Sequence, residues 1–175
     1  MNKVSVRRLA AEDADRLFVF EAENRSYFEA IGLPRSGAYY ERASFQKILE
    51  KLVAEQEAEM HYLYLARSAQ GEVIGRVNLT NVAGEPLRKA ELGYRIGEPH
   101  QGKGYATAAV KLVLEQARAV HRLHRIEAGT SPENIGSQTV LLKNGFRLIG
   151  TYRRDGVPGC GRAGSLLFEK ILDIE

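Results

Sequence analysis

The sequence is poor in the features that secreted and membrane proteins depend on. Its single cysteine, Cys160, excludes an internal disulfide and any cysteine-rich metal site, and fits a reducing, cytoplasmic setting. Nowhere do about 18 apolar residues run together, and the opening MNKVSVRRLAAEDADRL lacks the apolar stretch of a signal peptide, so no membrane association is expected. There is no internal repeat, low-complexity tract or linker. Charge of one sign is also scarce: the net charge of +3 is too small to demand a nucleic-acid partner, although the pI near 9.0 leaves one open.

What is present points to a packed globular chain. At 175 residues, with 44% hydrophobic and 27% charged side chains, the length predicts one domain over residues 1–175 and enough apolar material for a core without metals or disulfides. KVSVRRL near the N-terminus alternates as a half-buried strand would. EDADRLFVFEAEN has acids in its first turn and Leu17, Phe18 and Phe20 to bury, which predicts a first helix. After the breaker IGLPRSG, residues from Tyr40 to about Glu59 place Phe45, Ile48, Leu49, Leu52 and Val53 at helical spacing. The period then switches to two through HYLYLAR, VIGRVNLTN and AELGYRI, three consecutive strands. A helix from Gly104 to His121, the strand LHRIEAGTS and a short helix over GSQTVLLKN with Gly145 as its stop signal come next. Two last strands, FRLIGTYRR and SLLFEKILD, flank the glycine-rich loop DGVPGCGRAG. The order predicts an α+β fold: a mixed, mostly antiparallel sheet of about seven strands flanked by about four helices.

The stretch richest in chemistry joins AELGYRI to the long amphipathic helix through Gln101-Gly102-Lys103-Gly104-Tyr105-Ala106. Gly102 and Gly104 permit a tight turn and close backbone approach, and the helix that follows offers unpaired N–H groups and its positive dipole end. This is an anion site suited to a pyrophosphate, or else simply a tight loop. No Walker A string G-x-x-x-x-G-K-[ST] exists, and Thr107 stands where a dinucleotide fingerprint needs its third glycine.

With this loop in its strand-to-helix context, the sequence resembles the GNAT superfamily of acetyl-CoA-dependent N-acetyltransferases. Gln101, Gly104 and Ala106 match the signature [QR]-x-x-G-x-[GA]. Asn134-Ile135-Gly136-Ser137 through Lys143-Asn144-Gly145-Phe146 is similar to the N-x-x-S…(K/R)-x-G-F segment of the ribosomal-protein acetyltransferase branch. Nearly the whole chain takes part in the likeness, including the element order and an N-terminal R-x-L-like opening. The fold implied is the GNAT fold, and the co-substrate implied is acetyl-CoA, with no metal.

Carried onto this chain, the resemblance implies a bulged, splayed strand whose main-chain groups at Tyr94, Arg95 and Ile96 receive the pantetheine arm, one N–H polarising the thioester carbonyl. The backbone of Gly102, Lys103, Gly104, Tyr105, Ala106 and Thr107, with Gln101 before it, would hold the pyrophosphate. Asn134 would bond the pantetheine, or else serve as a loop polar residue or helix cap. The implied reaction is direct attack of an amine on the thioester. An α-amine, with a pKa of about 7.7 to 8.0, loses its proton far more readily than lysine at about 10.4, so a weak, water-mediated base suffices. Glu91, inside AELGYRI, is the candidate base; it reads equally as a solvent-facing residue or a partner of Arg95 or Lys89. Where many relatives carry a tyrosine acid, four residues before the glycine of the G-F pair, this chain has Leu141. Ser137 is therefore assigned to the departing CoA sulfur, with a helix N-cap as its other reading.

The remaining signals are plain. His121 and His124, among Arg118, Arg122 and Arg125, read as a solvated helix C-terminus, His100 as a surface loop residue, Cys160 as a loop thiol, and Tyr62 and Tyr64 as core packing. Acceptor specificity is expected between about Asn24 and Tyr40 and between about Asp155 and Gly164. The acceptor itself, a protein N-terminus or a small amine such as a polyamine, amino acid or antibiotic, is left open, as is the choice of monomer or homodimer. Two rivals stand beside this reading: a non-catalytic acyl-CoA-binding module, and a nucleic-acid binder resting on pI alone.

Overall fold

The structure is a computed structural model and describes residues 3–152 and 164–173. Its seven strands form one sheet in the order β1-β2-β3-β4-β5-β7-β6: β1 (Val4–Arg8), β2 (Tyr62–Ser68), β3 (Val73–Ala83), β4 (Lys89–Ile96), β5 (Arg125–Thr130), β6 (Arg147–Tyr152) and β7 (Ser165–Ile171). Every neighbouring pair is antiparallel except β4 with β5. The five α-helices are α1 (Ala14–Glu23), α2 (Arg25–Ala30), α3 (Arg42–Glu57), α4 (Tyr105–Ala119) and α5 (Ile135–Lys143).

The fold is the α+β arrangement that the element order predicts, with one helix more than expected. The chain hesitates at Asn24, whose side chain donates to the Phe20 carbonyl (2.9 Å) and accepts from the Glu98 amide (2.8 Å). By serving the loop after β4, Asn24 interrupts the first helix and starts α2, where the sequence showed no Gly or Pro to mark a break.

Two apolar layers sandwich the sheet. Tyr62, Tyr64 and Ala66 of β2 face one way, onto Val110, Val113 and Ala117 of α4, while Leu63 and Leu65 face the other, onto Leu17, Phe28, Phe45 and Leu49 of the α1–α3 layer. Strand β2 is thus buried on both faces, which explains its nearly unbroken run of large residues. A buried amide knits the α3 end to the sheet: Gln56 donates to the Leu9 carbonyl (2.8 Å) and accepts from the Leu63 amide (2.9 Å).

His121 departs from its expected role. Instead of a solvated cation, it stacks on Tyr62 with ring centroids 3.4 Å apart and bonds the Tyr64 hydroxyl at 2.6 Å. Burial, reinforced by Arg8, pushes its pKa down to about 4, so it is neutral near pH 7. Tyr62 and Tyr64 are core residues as expected. The loop 155–164 and Cys160 fall, apart from Gly164, outside the described residues.

Candidate active site

The parallel pair opens the sheet. Strands β4 and β5 are in register only over Lys89↔Arg125, Ala90↔Ile126 and Glu91↔Glu127, although β4 continues to Ile96 and β5 to Thr130. Past Glu91 the two strands part in a V. Both run toward its open end and each continues into a helix, so α4 and α5 begin beside the same gap.

Strand alternation decides which main-chain groups look into the V. The Gly97 amide donates across to the Ile74 carbonyl of β3 (2.9 Å), and the register Arg76↔Arg95 and Asn78↔Gly93 continues without a shift through this region. Backbone polarity alternates along a strand, so Arg95 and Gly93 turn their N–H and C=O groups to β3, whereas Leu92, Tyr94 and Ile96 turn theirs to the gap. This leaves Arg95 out of the expected main-chain trio. The Ile96 carbonyl is already bonded by Gln101 Nε2 (2.6 Å), which ties the loop back onto the strand end.

That loop is shaped as the glycines require. Gly102 and Gly104 adopt φ of +69° and +78°, a region that L side chains avoid. Gly104 caps α4, whose first internal bond runs from the Ala108 amide to the Gly104 carbonyl (3.1 Å). The amides of Tyr105, Ala106 and Thr107 precede that bond and have no acceptor within the helix, and the dipole of a 15-residue helix adds to their positive character. Lys103 folds back, its Nζ donating to the Pro99 carbonyl (2.7 Å). A pyrophosphate fits this donor set.

Across the V, Asn134 is the N-cap of α5: its Oδ1 accepts from the Ser137 amide (3.0 Å). Ser137 is therefore not the cap but sits in the first turn, and its hydroxyl pairs with the Tyr94 hydroxyl from β4 at 2.9 Å, while Tyr94 also donates to the Ser137 carbonyl (3.1 Å). Burial pushes the Tyr94 phenol up to about 12, so it keeps its proton throughout the neutral range. Leu141, standing where a tyrosine acid was looked for, is core, 1% exposed. The sequence reading counted only the main chain of Tyr94; the i, i+2 alternation Leu92-Tyr94-Ile96 was the available sign that its side chain shares a face with α5.

On the opposite face of β4 lie Glu91, Gly93 and Arg95. Glu91 is half-buried at the vertex of the V. Of the two cations weighed as its partners, Arg95 contacts Glu21 (3.3 Å) and Lys89 contacts Glu127 (3.5 Å). His100 stays in the loop after β4, edge-on to Tyr105.

Comparison with known proteins decides what this arrangement is. The family described as acetyltransferase (GNAT) domain matches residues 3–147. The chain belongs to the GNAT acetyltransferase family. It is 36% identical over 156 residues to "Probable N-acetyltransferase YjcK" of Bacillus subtilis, covering 87% of this chain and 84% of that one. It is 28% identical over 155 residues to the [ribosomal protein uS5]-alanine N-acetyltransferase of Escherichia coli, covering 88% and 79%. Among solved structures it superposes on Mycobacterium smegmatis RimJ in complex with CoA-disulfide with a TM-score of 0.86, at 28% identity, covering 96% of this chain and 81% of that one. As a GNAT N-acetyltransferase, the enzyme moves an acetyl group from acetyl-CoA to an amine. No helix among the described residues is long and apolar enough to cross a membrane.

Proposed function

We propose that this chain, acting over 1–175 as one cytoplasmic domain, acetylates the α-amine of a protein N-terminus. The observation that carries the reading is the V between β4 and β5, a gap lined by main-chain donors, with an anion nest at its mouth and a carboxylate at its vertex. The named relatives that act on ribosomal proteins support the choice of a protein acceptor.

In this reading acetyl-CoA supplies an activated acyl thioester. Tyr105, Ala106 and Thr107, with Gly102, Lys103 and Gly104, hold the pyrophosphate through their amides, and Gln101 keeps the loop seated. Leu92, Tyr94 and Ile96 offer main-chain groups to the pantetheine arm, joined by Asn134 at the α5 end. A main-chain N–H of this set faces the developing oxyanion, where a fixed donor is worth more than water because it needs no reorganisation.

Glu91 removes a proton from the incoming ammonium, directly or through one water, and the free amine attacks the carbonyl carbon. The C–N bond forms, the C–S bond breaks with the electron pair leaving on sulfur, and the acylated nitrogen gives up its second proton, which the thiolate or solvent takes, to leave a neutral amide. A thiol has a pKa of about 8.5, so the thiolate departs without a strong acid. Ser137 Oγ donates a hydrogen bond to it, and the Tyr94 phenol, protonated throughout the neutral range, turns its single proton from the Ser137 carbonyl to Ser137 Oγ.

A panel of Ala-, Ser- and Met-terminated peptides set beside spermidine and free amino acids, read by CoA thiol release, tests the acceptor class. Preference for peptides supports the reading, and faster turnover of a small amine overturns it.

A further inference from the structure

The face of β4 and β3 opposite the pantetheine side carries more positive charge than its neighbours cancel. Glu21, wholly buried on α1, is approached by three guanidinium groups: Arg76 at 3.1 Å, Arg95 at 3.3 Å and Arg35 at 3.8 Å. Arg76 and Arg95 are cross-strand neighbours, and their side chains are 3% and 10% exposed; Arg35, from the segment joining α2 and α3, is 26% exposed. Arg25 adds a fourth guanidinium, 4.1 Å from the Tyr40 ring, but Glu29 pairs with it at 2.8 Å. With Glu29 included, the cluster holds two cations more than anions among the described residues. Burial and the nearby Arg35 bring the Arg95 pKa down to about 10, as crowding of like charge requires.

Hydrogen bonding is incomplete at the same place. The Tyr40 hydroxyl, Arg35 Nε and Asn78 Oδ1 are buried without a hydrogen-bond partner among the described residues. Such groups carry a desolvation cost that a bound ligand relieves. Asn78 is the cross-strand neighbour of Gly93, beside which an added Cβ would meet no atom within 4 Å. Glu91, the Gly93–Asn78 pair and Arg95 therefore follow one another along one face, the first and last four residues apart, roughly 13 Å along an extended strand.

Resting on the N-terminal reading above, we propose that the arginine cluster Arg35–Arg76–Arg95, with the Tyr40 hydroxyl, is an anion-binding subsite for the acceptor, which carries a carboxylate about two to four residues' length from its amine. With the amine at Glu91, an extended acceptor passes Gly93, where no side chain among the described residues obstructs it and Asn78 Oδ1 can accept a peptide N–H, and delivers its acidic group to Arg35. A polyamine meets the opposite: its second cation would be driven against Arg35 and Arg95 in a weakly screened site. The carboxylate can belong to an Asp or Glu side chain or to a free C-terminus, and both present the same planar pair of oxygens to a guanidinium.

The test uses the full chain, loaded with CoA for binding and supplied with acetyl-CoA for turnover, and two peptide pairs. Amidated Ala-Glu-Asp-Leu is compared with amidated Ala-Gln-Asn-Leu, and free-acid Ala-Leu with its amide, by calorimetry for affinity and by thiol release for kcat/KM. The charged member of at least one pair binds tenfold or more tightly, and the responsive pair identifies the source of the carboxylate. The preference shrinks as salt rises from 50 to 500 mM, in about the range where screening acts. It falls to within twofold in Arg35→Gln and is partly restored in Arg35→Lys. Equal affinities within both pairs, a preference that survives Arg35→Gln, or tighter binding of spermidine than of any peptide would overturn the subsite. If the acidic preference is found and depends on Arg35 but no peptide is turned over, the subsite stands and N-terminal transfer fails; equal turnover within both pairs has the reverse meaning.

Discussion

In the proposed mechanism the sulfur side of the site rests on two hydroxyls held together across a gap. Tyr94 reaches from β4 and Ser137 from the first turn of α5, and their 2.9 Å contact spans the V. Tyr94→Phe removes one hydroxyl and keeps the ring, so acetyl-CoA binding is expected to persist while kcat falls about tenfold, the cost of one neutral hydrogen bond that orients the Ser137 hydroxyl. Ser137→Ala is expected to lower kcat further, with little change in KM for acetyl-CoA; wild-type turnover in both variants would remove the pair from the mechanism. Glu91→Gln keeps the size of the side chain and loses its basicity, and a loss of about 100-fold in kcat is expected, recovered in part as pH rises and free amine accumulates. At this scale the sequence was readable where residue type sets local geometry, as for the positive φ of Gly102 and Gly104 and the helix cap that was one of the two readings of Asn134. It was silent where function depends on a meeting of distant positions. Glu21 and Arg95 are 74 residues apart, and nothing in either neighbourhood announces the other.

Among the elements, β4 is the one whose geometry everything else must respect. An added Cβ on Gly75 of β3 would lie 2.5 Å from the Arg95 carbonyl, a main-chain atom with no room to yield. Gly75→Ala must therefore displace β4 beside the V, and we expect about 1–3 kcal/mol of lost stability together with a raised KM for acetyl-CoA. Thermal unfolding and saturation kinetics check both parts, and an unchanged KM would show that the V tolerates movement of β4. Periodicity revealed the seven strands and the two long amphipathic helices because burial imposes a period of two or 3.6. It missed the break between α1 and α2, since the cause is the Asn24 side chain bonding to the Glu98 amide in a distant loop. Likewise, the parting of β4 from β5 leaves no local trace, because both strands remain regular while they separate.

For the molecule as a whole, the net charge of +3 conceals an uneven distribution, with guanidinium groups gathered around Glu21. At the far end of α4, His121 links stability to pH. Its pKa is about 4 in the folded chain against an ordinary 6.5, so between these values the unfolded state binds more protons and stability falls as pH falls. Below about 4 both states are protonated and the contribution is flat; above 6.5 both are neutral. His121→Gln should therefore lose part of the fall in melting temperature seen between pH 6.5 and 4, and an identical pH profile would place the ring in solvent.

In the proposed reaction acetyl passes straight from the thioester to an amine held at the vertex of the V. Rapid-quench single turnover with acetyl-labelled CoA and an Ala-terminated acidic peptide distinguishes this from a covalent acetyl-enzyme. Label is expected on the peptide α-amine at the rate at which CoA thiol is released, with none on the acid-denatured protein at any time. Label accumulating on the protein before it reaches the peptide, or acetyl-CoA bound and never cleaved, would contradict it.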